Sequence, residues 1–479
     1  MTHIKLIPWT AEEILNASGG TLLCGDIRQR FSGVSIDSRR ISVDDVFVAI
    51  RGEVHDGHRF IRDILTPGVR RGIVVSRHET LDPGLDRLEQ DRVVCIAVDD
   101  TTRALGDLAA FNLERTRAPV IAITGSCGKT TTREMAVSVF SGHVNTLSTQ
   151  GNYNNLIGLP LTLLRLACQH ELAILELGMN HPGEIRRLAQ ICQPDIGVII
   201  NIGPVHLEGL GSIEGVMRAK GELLEHIKPE GTAVFNADDP NVMRLAAAFN
   251  GQRLCFGMSP TADIRASSVN QDASCVSFVL ELPGDRVPVT LDTPGLFMVS
   301  NALAAAAAGY ARGLSAGDIK AGLEAFKPVR QRMNVFMANR QVHVIDDTYN
   351  ANPRSMEAAI RTLESLKGKG RGILVAGDMR ELGAQSEALH RKIGGVAAAS
   401  GISRLYVTGD FAYAVAEGAQ QAHMASGSIF IGSREAIEAD LQKWLEPGDW
   451  VLIKGSRSIK MEKIVDGLRG MNSNAGRAS

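Results

Sequence analysis

Runs of β-branched and aliphatic residues alternate with longer helical patterns through most of the chain, and this alternation sets the predicted fold. Up to about Asp100 the pattern is short strands and turns: FSGVSIDSRRI, DVFVAI, GIVVS and VVCIAV. A helical segment, TTRALGDLAAFNLER, leads into the apolar run Val120, Ile121, Ile123. Further strand-like runs follow at LAILELG, IGVIIN and GTAVFN, each separated by a helical pattern, as in a doubly wound, mostly parallel sheet. The piece DIRASSVNQDASCVSFVLELPGDRVPVTLDTPG predicts a small antiparallel addition, and NALAAAAAGYARG an Ala-rich helix. From about Val329 a second alternating set begins: VHVIDD, RGILVAGD, RLYVTGD, SIFIG and WVLIKGS. The predicted fold class is α/β with three domains. A small mixed α/β domain spans 1–100, a central P-loop-type domain with a mostly parallel sheet spans 101–328, and a Rossmann-like domain spans 329–479. The terminal GMNSNAGRAS reads as a frayed tail.

A length of 479 residues agrees with about three domains. Hydrophobic residues make up 44% and charged residues 22%, enough for several cores. The formal net charge of −2 provides no basic field for nucleic acid or anionic lipid. MTHIKLIPWTAEEIL has no basic segment followed by an apolar one, and no stretch reaches membrane-spanning length. The seven cysteines are scattered without a CxxC pair, so they predict buried thiols in a reducing cytoplasm, not a disulfide or zinc framework. Cys127 stands apart, because it lies in a glycine loop at a helix start, where a thiol's pKa tends to fall.

That loop carries the strongest chemical signal. After the strand around Val120 come Gly125, Ser126, Cys127, Gly128, Lys129, Thr130 and Thr131, then no Gly or Pro until Gly142. A strand, a tight glycine loop and a helix in this order aim backbone N–H groups and a helix N-terminus at a phosphate chain. Lys129 supplies a point charge for the β/γ-phosphates and Thr130 a hydroxyl for Mg²⁺. The spacing is the shorter GxxGKTT form, since Ile123 stands where GxxxxGK[ST] has its first Gly. The chain is expected to bind a nucleoside triphosphate.

Other positions are weaker alone. Glu176 ends the strand LAILELG, where a carboxylate would act on nucleotide Mg²⁺ across from Thr130. His206 follows another strand, and a lone His is more often structural. Lys220, in MRAKGELLEHI, reads as a solvated helix lysine. Asn152, Asn154 and Asn155 form an amide loop able to bind a sugar or peptide, and Asn301 reads as an N-cap of the Ala-rich helix. Arg330 and Arg332 sit at the expected hinge between the second and third domains. Ser38, Arg39, Arg40 and Asp56-Gly57-His58 grip a phosphate or sugar, or else form two polar turns around a buried strand.

Together these residues resemble the Mur ligase family, the ATP-dependent amide-forming enzymes of peptidoglycan assembly. The resemblance covers nearly the whole chain through TGSCGKTTT, GNYNNLIGLPLTLL, ELGMNHPGEI, NIGPVHLEGLGS, AKGELL, NADDP, SNALAA, QRM, DDTYNANPRSM, GDMRELG and KGSRSIKMEK. DDTYNANPRSM, GDMRELG and KGSR are similar to the branch that adds D-alanyl-D-alanine. The branch that adds diaminopimelate or lysine would instead show a YAHTP-type stretch. Two departures stand out: Ser126 where Thr is common, and Asp44-Asp45 in place of Pro-Gly.

The resemblance implies ATP, two Mg²⁺ ions and a carbamylated Lys220. It places Thr130 and Glu176 on one ion, and His206 and Lys220 on the other. Lys129 and Arg332 would neutralise phosphate charge, Asn301 would contact adenine, and Asp347 the ribose. Ser38, Arg39, Asp56 and His58 would hold the uridine diphosphate end of a UDP-muramoyl-tripeptide, and Asn152 and Asn155 its peptide. Asn350, Asn352, Arg354 and Ser456 would face D-Ala-D-Ala. The implied partners are these small molecules alone, for a monomer in a bacterial cytoplasm. Alternatives are the preceding tripeptide-forming ligase, a folylpolyglutamate synthetase and, more distantly, a P-loop NTPase switch or kinase.

Overall fold

The computed structural model of the protein describes residues 6–52, 54–65, 71–82 and 84–474. Its strands form three main sheets. The first has five strands in the order Thr21–Cys24, Val94–Val98, Gly72–Ser76, Asp45–Val48, Gly33–Ser35, parallel except for Thr21–Cys24. This region also carries helices, as expected of a mixed α/β domain, though its strand-and-turn pattern did not place them. The longest is Ala11–Ser18, started by a capping box in which Thr10 and Glu13 bond each other's backbone N–H groups. Asp44, at the departure from Pro-Gly, adopts a φ of 63°, and Asp45 Oδ2 accepts from the Ser42 N–H at 2.9 Å.

The central sheet has nine strands. Thr146–Ser148, Leu172–Glu176, Val120–Thr124, Ile196–Ile199, Thr232–Asn236 and Gln252–Gly257 run parallel, in that spatial order. Every residue of Val120–Thr124 and of Leu172–Glu176 is buried, as expected of strands covered on both faces. The antiparallel addition is present but is no separate unit. Ile264–Gln271 joins the sheet edge in parallel, and Val276–Leu282 and Asp285–Leu291 extend it antiparallel.

The Ala-rich helix starts earlier than its alanines suggest, at Leu296–Ala311, with Gly295 as N-cap. Asn301 is therefore an interior helix residue, not the predicted cap. Ala304 through Ala307 are fully buried in one core with the helix Lys129–Phe140 and the sheet. Close approach continues at Gly322, where a Cβ would lie 2.3 Å from the Val139 Cα.

The third sheet runs Asn334–Ala338, Val342–Asp347, Trp450–Lys454, Gly372–Gly377, Arg404–Thr408, Ile429–Ile431, with only the first strand antiparallel. The final helix, Glu462–Asn474, covers half of the segment read as a frayed tail; residues 475–479 of that reading lie outside the described residues. Among the described residues no helix is long and apolar enough to cross a membrane.

Candidate active site

The strand Val120–Thr124 lies between Leu172–Glu176 and Ile196–Ile199, so the chain departs to both sides of it. Ligands of doubly wound sheets bind at the carboxyl ends of strands at such a switch point. The glycine loop 125–128 occupies this place and leads directly into the helix Lys129–Phe140. Asn201, at the end of the adjacent strand, braces the loop. Its Oδ1 accepts from the Cys127 N–H at 3.0 Å, its Nδ2 donates to the Cys127 carbonyl at 3.0 Å, and its own carbonyl accepts from the Ser126 N–H at 3.1 Å. Ser126 Oγ accepts in turn from the Gly203 N–H at 2.9 Å. Asn201 went unnoticed in the sequence, although it ends IGVIIN at a strand's carboxyl end, where the same rule singled out others.

Gly128 has a φ of 85°, and a Cβ there would stand 2.3 Å from Asn301 Oδ1. The position needs glycine for both conformation and space. Asn301 accordingly packs on the loop backbone, and its Oδ1 also accepts from Thr132 Oγ1 at 3.4 Å. Lys129 Nζ donates to the Gly125 carbonyl at 2.8 Å. Burial pulls its ammonium below the usual lysine range, and the nearby Glu176 carboxylate works against that shift.

Thr130 Oγ1 donates to Glu176 Oε2 at 3.2 Å, and Arg332 Nη2 donates to Thr130 Oγ1 at 2.9 Å. Glu176 is 1% exposed, and its Oε1 has no hydrogen-bond partner. Arg133 Nε stands 3.2 Å from that oxygen and is itself buried. A hydroxyl and a carboxylate in contact, with one carboxylate oxygen unsatisfied, suit a hard divalent cation that keeps water and phosphate oxygens as its remaining ligands. Among the described residues no three His, Cys, Asp or Glu side chains gather as a metal cluster.

His206 takes a φ of 51°, and its Nδ1 lies 2.5 Å from Glu381 Oε2, on the loop after the strand Gly372–Gly377. Hydrogen bonding to His206 holds the Glu381 carboxyl below the usual range. Lys220 departs from its expectation. It lies on the helix Ile213–Gly221 but is only 1% exposed, not solvated. Burial, reinforced by the Lys129 charge, drives its amine well below the usual lysine range.

A cavity of about 610 Å³ joins the glycine loop, Glu176 and His206 to the third sheet; Lys220 does not line it. Ser126 through Thr131, Glu176, His206, Asn301 and Arg332 line it, as do Asn152, Asp347, Asn350, Asn352, Arg354 and Ser456. Several of these are already engaged. Asp347 Oδ2 lies 2.5 Å from Lys454 Nζ, and Ser456 Oγ accepts from the Arg380 N–H at 2.9 Å. Asn352 caps the helix Pro353–Lys367 and donates to the Ser126 carbonyl at 3.3 Å. Arg354, expected on the dipeptide, lines the cavity and also reaches Asp239 Oδ2 at 2.6 Å.

Asn155 lies outside the cavity lining, because its Oδ1 accepts from the Ile157 and Gly158 N–H groups and starts the helix Gly158–Leu163. Asn154 lines the cavity in its place. Ser38, Arg39, Asp56 and His58 belong to the five-stranded region and do not line the cavity. His58 is buried with both ring nitrogens used: Nδ1 is 2.7 Å from Asp56 Oδ1, and Nε2 accepts from the Ser76 N–H at 2.9 Å. Arg39 is exposed and paired with Asp37. The polar-turn alternative therefore describes Asp56 and His58 well.

Three family descriptions match the chain: "Mur ligase family, catalytic domain" over residues 30–112, "Mur ligase middle domain" over 123–309, and "Mur ligase, glutamate ligase domain" over 331–457. The chain belongs to the Mur ligase family. Among its relatives, the UDP-N-acetylmuramoyl-tripeptide–D-alanyl-D-alanine ligase of Escherichia coli is 36% identical, over 97% of this chain and 99% of that one. The crystal structure of MurF from Acinetobacter baumannii superposes with a TM-score of 0.88 at 33% identity, covering 97% of this chain and 100% of the other. MurF ligase from Thermotoga maritima, in complex with ADP, gives a TM-score of 0.82 at 28% identity, covering 92% and 98%. In this Mur ligase the glycine loop, Glu176 and Arg332 meet in one cavity between the second and third sheets.

Proposed function

We propose that this Mur ligase joins D-alanyl-D-alanine to UDP-N-acetylmuramoyl-tripeptide at the expense of ATP. The observation that carries the reading is the near-full-length similarity to ligases named for that reaction, together with a cavity in which the phosphate loop faces the third sheet. The tripeptide's terminal carboxylate attacks the γ-phosphorus of ATP, and ADP leaves with the electrons of the broken P–O bond. The amine of the dipeptide then attacks the acyl phosphate carbonyl, loses a proton, and inorganic phosphate departs. The first step brings two anions together, so Lys129 and Arg332 offset the repulsion. The loop N–H groups hold the phosphates in line.

Thr130 and Glu176 would hold one Mg²⁺, and His206 with Lys220 would serve a second; bound there, these ions would polarise phosphate and carboxylate oxygens. Burial favours the neutral form of the Lys220 amine, the form that adds CO₂, releasing a proton and leaving an anionic carbamate where the amine stood. The domain limits near residues 100 and 328, a monomeric state, a cytoplasmic site of action, and contacts from Ser38 and Arg39 to the uridine diphosphate belong to the same proposal.

The test is phosphate release from ATP and Mg²⁺ with UDP-muramoyl-tripeptide, with and without D-Ala-D-Ala. Release that requires both, with an amide product of the expected mass, is the expected result. Release that answers to diaminopimelate or lysine with the shorter acceptor would move the chain one step earlier. Release indifferent to every amine would overturn the ligase reading.

A further inference from the structure

The incoming dipeptide carries an amine that must reach the acyl phosphate and a carboxylate that must rest somewhere else. Among the described residues six cationic side chains line the cavity: Lys129, Arg332, Arg354, Arg380, Lys454 and Arg457. Five already have close partners. Lys129 and Arg332 point at the phosphate loop and Thr130. Arg354 is paired with Asp239 at 2.6 Å, and Lys454 with Asp347 at 2.5 Å. Arg380 lies 2.9 Å from Asp410 and 3.3 Å from Asp378. Arg457 differs. Its Nη1 donates to the neutral Gln331 Oε1 at 3.1 Å, and its nearest carboxylate, Glu462, stands 3.7 Å away. The side chain is 59% exposed, and most of its five N–H donors are free for a ligand.

We propose that Arg457 anchors the terminal carboxylate of the incoming dipeptide, which rests on the ligase reading above. Its placement fits the length of that substrate. The guanidinium carbons of Arg332 and Arg457 lie 4.0 and 5.8 Å from the ring centre of Tyr349, so they are at most about 10 Å apart. A dipeptide spans roughly 7 Å when extended. With its carboxylate on Arg457, its amine reaches the region of Arg332 and Thr130, where the acyl phosphate forms. Ser456, the neighbouring candidate, has its hydroxyl occupied by the Arg380 N–H and the Ala351 carbonyl, which leaves the charge-bearing contact to Arg457. A planar guanidinium also offers a carboxylate the paired donors that a hydroxyl cannot.

The test compares kcat/KM for D-alanyl-D-alanine and D-alanyl-D-alaninamide in the wild-type chain, Arg457→Gln and Arg457→Lys. The wild type is expected to favour the carboxylate by on the order of ten- to a hundredfold. Arg457→Gln should bring that ratio close to one through KM for the dipeptide, with KM for ATP unchanged, and Arg457→Lys should keep part of the preference. A preference that persists in Arg457→Gln, or that is absent from the wild type, overturns the assignment while leaving the ligase reading intact. Failure of the wild type to consume ATP with either amine overturns both. A melting temperature for Arg457→Gln equal to the wild type's excludes misfolding as the cause.

Discussion

Arg354 of the third sheet's first helix and Asp239 of the central region meet at 2.6 Å across the cavity wall. Arg354 also donates to the Ile202 carbonyl at 3.2 Å, while Asp239 is buried and accepts from the N–H groups of Asn241, Val242 and Ile202. One carboxylate thus caps the helix Pro240–Ala248, fixes the strand end beside the phosphate loop, and clasps the third sheet. Arg354→Ala should lower kcat by roughly tenfold, because a misplaced third sheet misplaces the amine. It should change folding stability by less than about 1 kcal/mol, since the arginine is half exposed. Asp239→Ala should cost more, about 1–2 kcal/mol from the lost cap alone. Steady-state kinetics and urea unfolding of both variants check this; a rise confined to the dipeptide KM in Arg354→Ala would return that residue to substrate binding.

Gly128→Ala tests the loop. The added methyl meets Asn301 Oδ1 in a backbone conformation that alanine avoids. ADP affinity by calorimetry should fall at least roughly tenfold. A second change, Asn301→Ala, should recover part of the loss by opening the space. Unaltered affinity in the single variant would show that the loop adjusts freely.

The Glu381 carboxylate orients His206 from the opposite sheet. With His206 on a Mg²⁺, as proposed above, an outer partner of this kind typically contributes ten- to a hundredfold to metal affinity or activity. Glu381→Ala should therefore raise the Mg²⁺ concentration needed for half-maximal turnover by about that factor, with KM for ATP at saturating Mg²⁺ little changed. A Mg²⁺ titration that superimposes on the wild type's would remove Glu381 from this role.

The third sheet contains a pH-dependent element in His390. Burial lowers its pKa, Nε2 accepts from the Met379 N–H at 2.9 Å, and Nδ1 is 2.6 Å from the Ser386 carbonyl. Only the neutral ring satisfies both contacts. Because the folded pKa lies below the unfolded value of about 6.5, the stability from this histidine is complete above that unfolded value and is lost as pH falls through the folded pKa. Urea midpoints measured at pH 8, 6.5 and 5 should fall more steeply for the wild type than for His390→Gln. Parallel curves would refute the assignment.

The alternation of apolar runs and helical patterns was enough to find the central and third sheets, because buried parallel strands must be apolar on both faces. The phosphate loop was equally legible, since its chemistry depends on a local strand–glycine–helix order. Contacts made across sequence distance were not. Asp239, Arg133 and Glu381 look like ordinary charged residues until the fold sets them against Arg354, Glu176 and His206. Residue types alone leave Lys220 as a solvated helix lysine for the same reason: local sequence reports a helix but not what packs on it. The N-cap alternative for Asn301 fails because the true helix start, hidden by the alanines, is at Leu296. The capping pair Thr10 and Glu13 is present in the sequence, but a single capping box is a weaker signal than the neighbouring apolar runs.

The small residues of the helix Leu296–Ala311 do more than fill a core. They set how deeply that helix sinks toward the sheet, and with it the height of Asn301 above Gly128. Enlarging Ala304 or Ala305 would lift the helix like a shim under a lens mount and defocus the nucleotide site from well behind it. Genetic drift at these alanines would therefore weaken the fold and the placement of Asn301 together, and a screen for catalytic defects would return core alanines among its hits.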